Sequence, residues 1–264
     1  MDKAASRVSL NEEEDSMSSR EIEKRFDRTD SPPTAAPYSP DRIRKLKKKV
    51  VTRFLAVPFV LGTMFFLPAG TLRYWQAWVY IAILCVPMLV AVVLLLKRDP
   101  GLLERRLQMK EKEREQKRII KISYLIFLAI YFLPGFDRRY GWSSVPDGWV
   151  IAADVLVLAG YALCLRVFQE NSYASRIVEV EQDQRVITTG PYAVVRHPMY
   201  SAVLIMYTIS PLALGSIWAL ISVPFLAALL VARIREEEKL LATKLEGYLD
   251  YMRRVRYRII PGVW

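Results

Sequence analysis

The stretch Gly190–Glu238 reads GPYAVVRHPMYSAVLIMYTISPLALGSIWALISVPFLAALLVARIREEE, and its order decides the fold. A polar string holding the chain's only histidine, His197, leads into two apolar runs separated by Gly215–Ser216, and the acids Glu236, Glu237 and Glu238 follow. Two apolar runs joined by a turn make a there-and-back element that returns the chain to the face it left. Arg196, His197 and Tyr200 at its entrance should therefore meet Arg233, Arg235, Glu236 and Glu237 at its exit. The expectation is one site split in sequence.

Working outward, 53% of the 264 residues are hydrophobic and 25% are charged, and the two classes separate into blocks. Apolar blocks of roughly 17–25 residues are long enough to cross a bilayer. They place spans at Phe54–Leu72, Trp75–Leu96, Ile119–Phe136 and Trp149–Phe168, followed by a hairpin of Tyr200–Leu214 and Ile217–Val231. The fold class expected is an all-α integral membrane protein with about five transmembrane helices, the hairpin included, and a C-terminal helix on the cytosolic face. Each hairpin helix covers only about 22 Å at the α-helical rise, short of a ~30 Å hydrocarbon core. Its length leaves open whether the hairpin crosses once, twice or not fully. Pro211 and Pro224 should bend or weaken it.

Charge gives the orientation. The net charge is +11, with seven cations between Arg42 and Arg53, ten in Lys97–Lys121 and eight from Arg233 onward. The loops between carry Arg73, then Arg138 and Arg139, then none at Gly215–Ser216. The positive-inside rule puts both termini, the Lys97–Lys121 loop and the Phe168–Met199 segment in the cytosol. Cations beside apolar segments suit anionic lipid headgroups rather than nucleic acid. Cys85 and Cys164 lie in apolar runs as core residues, and with one histidine and two dispersed cysteines no zinc or haem centre is expected. From its mixed charge, the N-terminus is not expected to be a cleavable signal peptide.

Three regions follow. Residues 1–41 read as a disordered cytosolic tail with at most a short helix at Ser18–Arg28. Residues 42–168 hold the basic juxtamembrane segment and four spans. Residues 169–264 form the catalytic half, with a cofactor-binding loop, the hairpin and the last helix. Lys97–Lys121 reads as a basic helix lying on the membrane face, a direct role in substrate binding being the alternative. Asp154 should reach water or a neighbouring helix.

Paired carboxylates near arginines and a histidine suit a zwitterionic ligand with a cationic centre. S-adenosylmethionine carries an ammonium, a carboxylate and a sulfonium. Acidic side chains would take the ammonium, an arginine fork would take the carboxylate, and Tyr or His would pack on the adenine. Methyl transfer needs in-line placement with water excluded, which a pocket at a membrane boundary provides while admitting a lipid-like acceptor sideways. Singly, these motifs have plainer readings. Arg-His at a membrane edge anchors headgroups, Pro198 opens a helix, and Glu residues before Lys239 make a solvated helix face. Bracketing one hairpin on one face, they point to a site.

From Gly160 to Trp264 the chain resembles the membrane-embedded methyltransferases that include isoprenylcysteine carboxyl methyltransferase and the phospholipid N-methyltransferases. The resemblance rests on QRVITTGPYAVVRHPMYSA (Gln184–Ala202), the acid pair after the hairpin and the ending GYLDYMRRVRYRIIPGVW. It implies a small helical membrane fold that binds S-adenosylmethionine. Gly190, Tyr192, His197, Pro198, Tyr200, Glu236 and Glu237 would serve the cofactor, and Arg196 and Arg233 would face the reacting group, with Glu237 also placed for catalysis. Counting back from Tyr248 and Tyr251 selects Glu236–Glu237 over Glu238. The chain departs from its relatives at Lys244-Leu245-Glu246-Gly247-Tyr248, where they often read Phe-Gly-x-x-Tyr, and at Gly160-Tyr161-Ala162 in place of Gly-x-Gly. The second departure weighs against a phospholipid acceptor. The activity implied is methyl transfer to a lipophilic or lipid-modified acceptor, foremost a carboxylate, without metal or nucleic acid. An NADPH-dependent membrane reductase of sterol-reductase-like architecture and a non-enzymatic membrane scaffold are the competing readings.

Overall fold

A computed structural model describes residues 39–107, 114–173 and 184–264, with backbone alone over 114–120. The expected tail and its short helix lie outside these residues except at 39–41, as do positions 108–113 of the expected basic membrane-face helix. Ser39–Trp264 form one compact unit. Among the described residues the regular elements are helices, with no strand: α1 Pro40–Ala69, α2 Trp75–Arg98, α3 Pro100–Arg106, α4 Arg114–Tyr140, α5 Asp147–Glu170, α6 Pro198–Ala213, α7 Val223–Lys244 and α8 Tyr248–Arg254. Two short 3₁₀ turns, Gly190–Ala193 and Trp218–Ser222, precede α6 and α7.

Among the described residues four helices are long and apolar enough to cross a membrane: α1, α2, α5, and Trp218–Lys244, which joins the second 3₁₀ turn to α7. Helix α6 is apolar but shorter, and the span expected at Ile119–Phe136 falls within α4. Apolar side chains such as Leu55, Phe59, Leu125, Ile151 and Phe225 cover the perimeter in exposed positions, where acyl chains are the fitting neighbour.

Three boundaries differ from the sequence reading. Helix α1 begins at Pro40 rather than Phe54, because Ser39 Oγ accepts from Arg42 N and Pro40 opens the first turn, so the basic run is already helical. The second hairpin helix runs on to Lys244 rather than ending at Val231, since nothing between them breaks it. Pro224 sits in the first turn of α7, where its missing N–H costs nothing, and so opens that helix instead of bending it.

Close approach of backbones holds the bundle together. A Cβ on Gly160 of α5 would run into Met206 of α6 and come within 3.3 Å of the Ala202 carbonyl, so α5 and α6 pack at glycine distance. A Cβ on Gly135 of α4 would likewise strike Pro68 of α1. Phe65, Tyr80 and Tyr131 meet edge-on or tilted at the centre, and the Tyr80 hydroxyl bonds Ser210 of α6. Of the two expectations for Asp154, water is ruled out by its burial and a neighbouring helix stands, and among the described residues its Oδ1 has no hydrogen-bond partner.

One end of the bundle is locked by polar contacts. Asp137, 1% exposed, accepts from Ser143 N at 2.7 Å and from the hydroxyls of Ser143 and Ser216 at 2.5 Å each. Tyr74 donates to the Leu214 carbonyl, so the hairpin tip sits level with the α1–α2 and α4–α5 connections. The exposed tryptophans Trp75, Trp78, Trp142, Trp149 and Trp218 gather at this end, five of the six in the chain. Such a belt is the mark of a membrane–water boundary. The polar string lies at the other end.

Candidate functional site

His197 caps α6 and Pro198 occupies its first turn, so the string turns from loop to helix at the histidine. Helix α7 returns alongside, and its buried residues are Leu226, Leu230, Ile234 and Glu238, every fourth position. The same inward stripe therefore carries apolar residues at membrane depth and a carboxylate at the end of the helix.

Glu238 is 5% exposed, and both its oxygens are used. Oε1 accepts from Arg196 Nε at 2.8 Å and faces His197 Nε2 at 3.3 Å, while Oε2 accepts from Arg258 Nε at 2.8 Å. Arg196, 6% exposed, also donates from Nη1 to the carbonyls of Val255 at 2.7 Å and Arg256 at 2.9 Å. A second chain runs beside this one. Arg233 Nε donates to the Tyr200 hydroxyl at 2.8 Å, and that hydroxyl donates to Glu237 Oε2 at 2.6 Å. Glu237 Oε1 lies 3.9 Å from His197 Nδ1, so the imidazole stands between the two carboxylates.

The C-terminal segment forms the floor. Arg196 N donates to the Tyr257 carbonyl at 2.9 Å, His197 N to that of Arg258 at 2.8 Å, and the Ser201 hydroxyl to that of Ile259 at 2.7 Å. Tyr251 donates to the Tyr192 carbonyl at 2.8 Å, and the Tyr192 hydroxyl accepts from Asn171 Nδ2 at 2.8 Å. Burial pushes the Tyr192 phenol up to about 12, with the Asn171 hydrogen bond opposing the rise, and burial also holds Tyr248 and Tyr251 well above the usual phenol range. These hydroxyls stay protonated near neutral pH.

These residues border a cavity of about 720 Å³, within the range of small-molecule sites. Its polar end is lined by Arg196, His197, Tyr200, Arg233, Glu237, Asn171 and Tyr192, and its other end by Phe127, Val203, Tyr207, Leu226, Leu229 and Leu230. One space thus passes from charged to apolar walls. Among the described residues no group of His, Cys, Asp and Glu side chains could hold a metal ion.

Of the residues predicted from sequence, Tyr192, Arg196, His197, Pro198, Tyr200, Arg233 and Glu237 line this cavity. Gly190 does not. Its φ of +57° turns the chain, and a Cβ there would come within 2.6 Å of the Glu170 carboxyl. Glu236 is also outside the lining, and it pairs with Lys239 at 2.6 Å on the exposed side. Two residues of helix turn through about 200°, so Glu236 and Glu238 point to opposite faces. The acids that meet the string are Glu237 and Glu238. Arg196, expected to face a substrate group, has its Nε on Glu238 and its Nη1 on two backbone carbonyls. Sequence reasoning missed Glu238, Arg258 and the carbonyls of Val255 and Arg256. The four-residue spacing of Leu226, Leu230 and Ile234 was the signal that could have found Glu238.

No curated protein matches the chain. Residues 150–243 match the isoprenylcysteine carboxyl methyltransferase family, a stretch that takes in the polar string, the hairpin and the acid triplet and stops short of Arg258.

Proposed function

We propose that this protein is an integral-membrane methyltransferase that uses S-adenosylmethionine to methylate a lipophilic acceptor at a carboxylate. The observation that carries the reading is a cavity of about 720 Å³ in which a charged end meets an apolar one. Such a space suits two ligands of opposite character meeting at their reactive groups. The family match over the same helices supports it.

Bound S-adenosylmethionine would supply a methyl group on a sulfonium, an electrophile needing no metal. Glu237 would take its ammonium, and His197, Tyr192 and Tyr200 would wall the polar end around it. Arg233, held at Nε by Tyr200, would orient the acceptor carboxylate as a charged fork. A carboxylate oxygen attacks as an anion. The new bond is O–CH₃, the bond broken is S–CH₃, and the products are a methyl ester and S-adenosylhomocysteine with no proton to move. Leu226, Leu229, Leu230 and Phe127 would hold the acceptor's apolar part and keep water out. In this reading the site end faces the cytosol and both termini lie there.

Thermal unfolding of the purified protein with added ligand tests the proposal. S-adenosylhomocysteine at 100 times its dissociation constant should stabilise the fold by about 2.7 kcal/mol. Stabilisation by NADPH instead would support the reductase, and by neither ligand the scaffold. Labelled S-adenosylmethionine incubated with a cell lipid extract should then leave a base-labile methyl ester on an apolar product. A base-stable methyl would reject the carboxylate.

A further inference from the structure

Glu238 is held from two sides, and the second side has no role in the proposed reaction. Arg196 approaches Oε1 through Nε, while Arg258 approaches Oε2 through its own Nε, each at 2.8 Å. With Arg196 alone, the carboxylate would be free to swing into a two-point fork with that guanidinium. Arg258 occupies the oxygen that such a fork would use. Oε1 is thereby kept where it faces His197 Nε2 at 3.3 Å.

Arg258 is itself well fixed. Its guanidinium lies 4.9 Å from the centre of the Trp264 ring, its N–H donates to the Trp264 carbonyl at 2.9 Å, and its carbonyl accepts from His197 N at 2.8 Å. The same residue thus grips the histidine's backbone directly and its side chain through Glu238. A carboxylate can only accept, so a hydrogen bond at this 3.3 Å contact requires the proton on Nε2. The other nitrogen, Nδ1, is left on the Glu237 side, bordering the cavity.

We infer that Arg258 is a positioning residue that, by holding Glu238, fixes His197 with its Nε2 proton on Glu238 and its Nδ1 turned toward Glu237. The inference rests on the methyltransferase reading only for what the fixed imidazole serves, a rigid wall for the cofactor. The segment Val255–Ile259 then belongs to the site, although it lies beyond the stretch that matches the family.

His197 is the only histidine in the chain, so ¹⁵N-histidine labelling reports on it without assignment. Wild-type protein in detergent micelles at pH 8 should show a protonated Nε2 that slow exchange protects. In Arg258→Gln the protection should be lost and the ring signal should move, with the thermal midpoint of a folded protein retained. The dissociation constant for S-adenosylhomocysteine should rise about tenfold, the worth of one charge-assisted hydrogen bond. Arg258→Lys, which keeps the charge, should recover part of both effects, and it decides the matter if Arg258→Gln does not fold. An unprotonated Nε2 in wild type, or the same ring signal in wild type and the folded variant, overturns the inference. If the ring signal moves but wild type binds no S-adenosylhomocysteine, the positioning role stands and the methyltransferase reading falls.

Discussion

The Tyr200 hydroxyl donates to Glu237 Oε2 at 2.6 Å, tying the first turn of α6 to the last turns of α7 across the mouth of the hairpin. The same oxygen accepts from Arg233, so one phenol fixes the spacing between a cation and an anion that both line the cavity. Tyr200→Phe keeps the ring and removes the bridge. Under the proposed function, methyl transfer should fall about 10- to 100-fold, the worth of one charge-assisted hydrogen bond, while the protein stays folded. Turnover with labelled S-adenosylmethionine, alongside a thermal melt, checks this, and an unchanged rate would remove Tyr200 from the site.

Glu236 and Glu238 make a paired test of which acids matter. Glu238→Ala strands the buried Arg196 guanidinium and should cost about 3–5 kcal/mol, as breaking one side of a buried ion pair does. Glu236→Ala loses only the exposed contact with Lys239 and should stay within about 0.5 kcal/mol of wild type. Comparing the two thermal midpoints in one detergent reads out the difference. Equal losses would contradict the orientation of α7 described above.

Packing of α5 on α6 depends on the absence of one side chain. Gly160→Val overfills the contact with Met206 and should destabilise by about 1–3 kcal/mol. Adding Met206→Ala should restore part of that loss, because the two side chains compete for one space. A double-mutant cycle on unfolding midpoints measures the coupling, and strict additivity would place the two residues apart.

At the tryptophan end, Asp137→Ala leaves Ser143 N and the Ser143 and Ser216 hydroxyls without their acceptor. The cost should be about 1–3 kcal/mol or more. The charged end of the cavity lies at the other end of the hairpin, so under the proposed function the folded fraction should keep its affinity for S-adenosylhomocysteine. Titration of the variant below its melting point tests that separation.

Much of this was legible in the sequence. Apolar block lengths place α2 and α5 to within a few residues, because a bilayer demands about 20 apolar residues and turns on either side are polar. The hairpin brings Arg196, His197 and Tyr200 to Arg233 and Glu237 for a purely topological reason. What escaped was rotation and distance. Three consecutive glutamates look alike in sequence, and only the inward stripe through Leu226, Leu230 and Ile234 separates Glu238 from Glu236. Arg258 escaped for a different reason. Its partner Glu238 is 20 residues away along the chain, and no periodicity connects a helix with the irregular segment after it. Asp137 directly follows the expected span ending at Phe136, and a sequence does not say that two serines 6 and 79 residues away will enclose it.

The floor of the site also sets an order of events during synthesis. Arg196 finds its backbone partners 59 and 60 residues further along the chain. At about 5–20 residues per second, a ribosome needs several seconds to make that interval. Through those seconds the hairpin itself is made, while a guanidinium destined for burial lacks its final backbone partners. The newborn protein therefore passes through a stage with every span made and its polar end open.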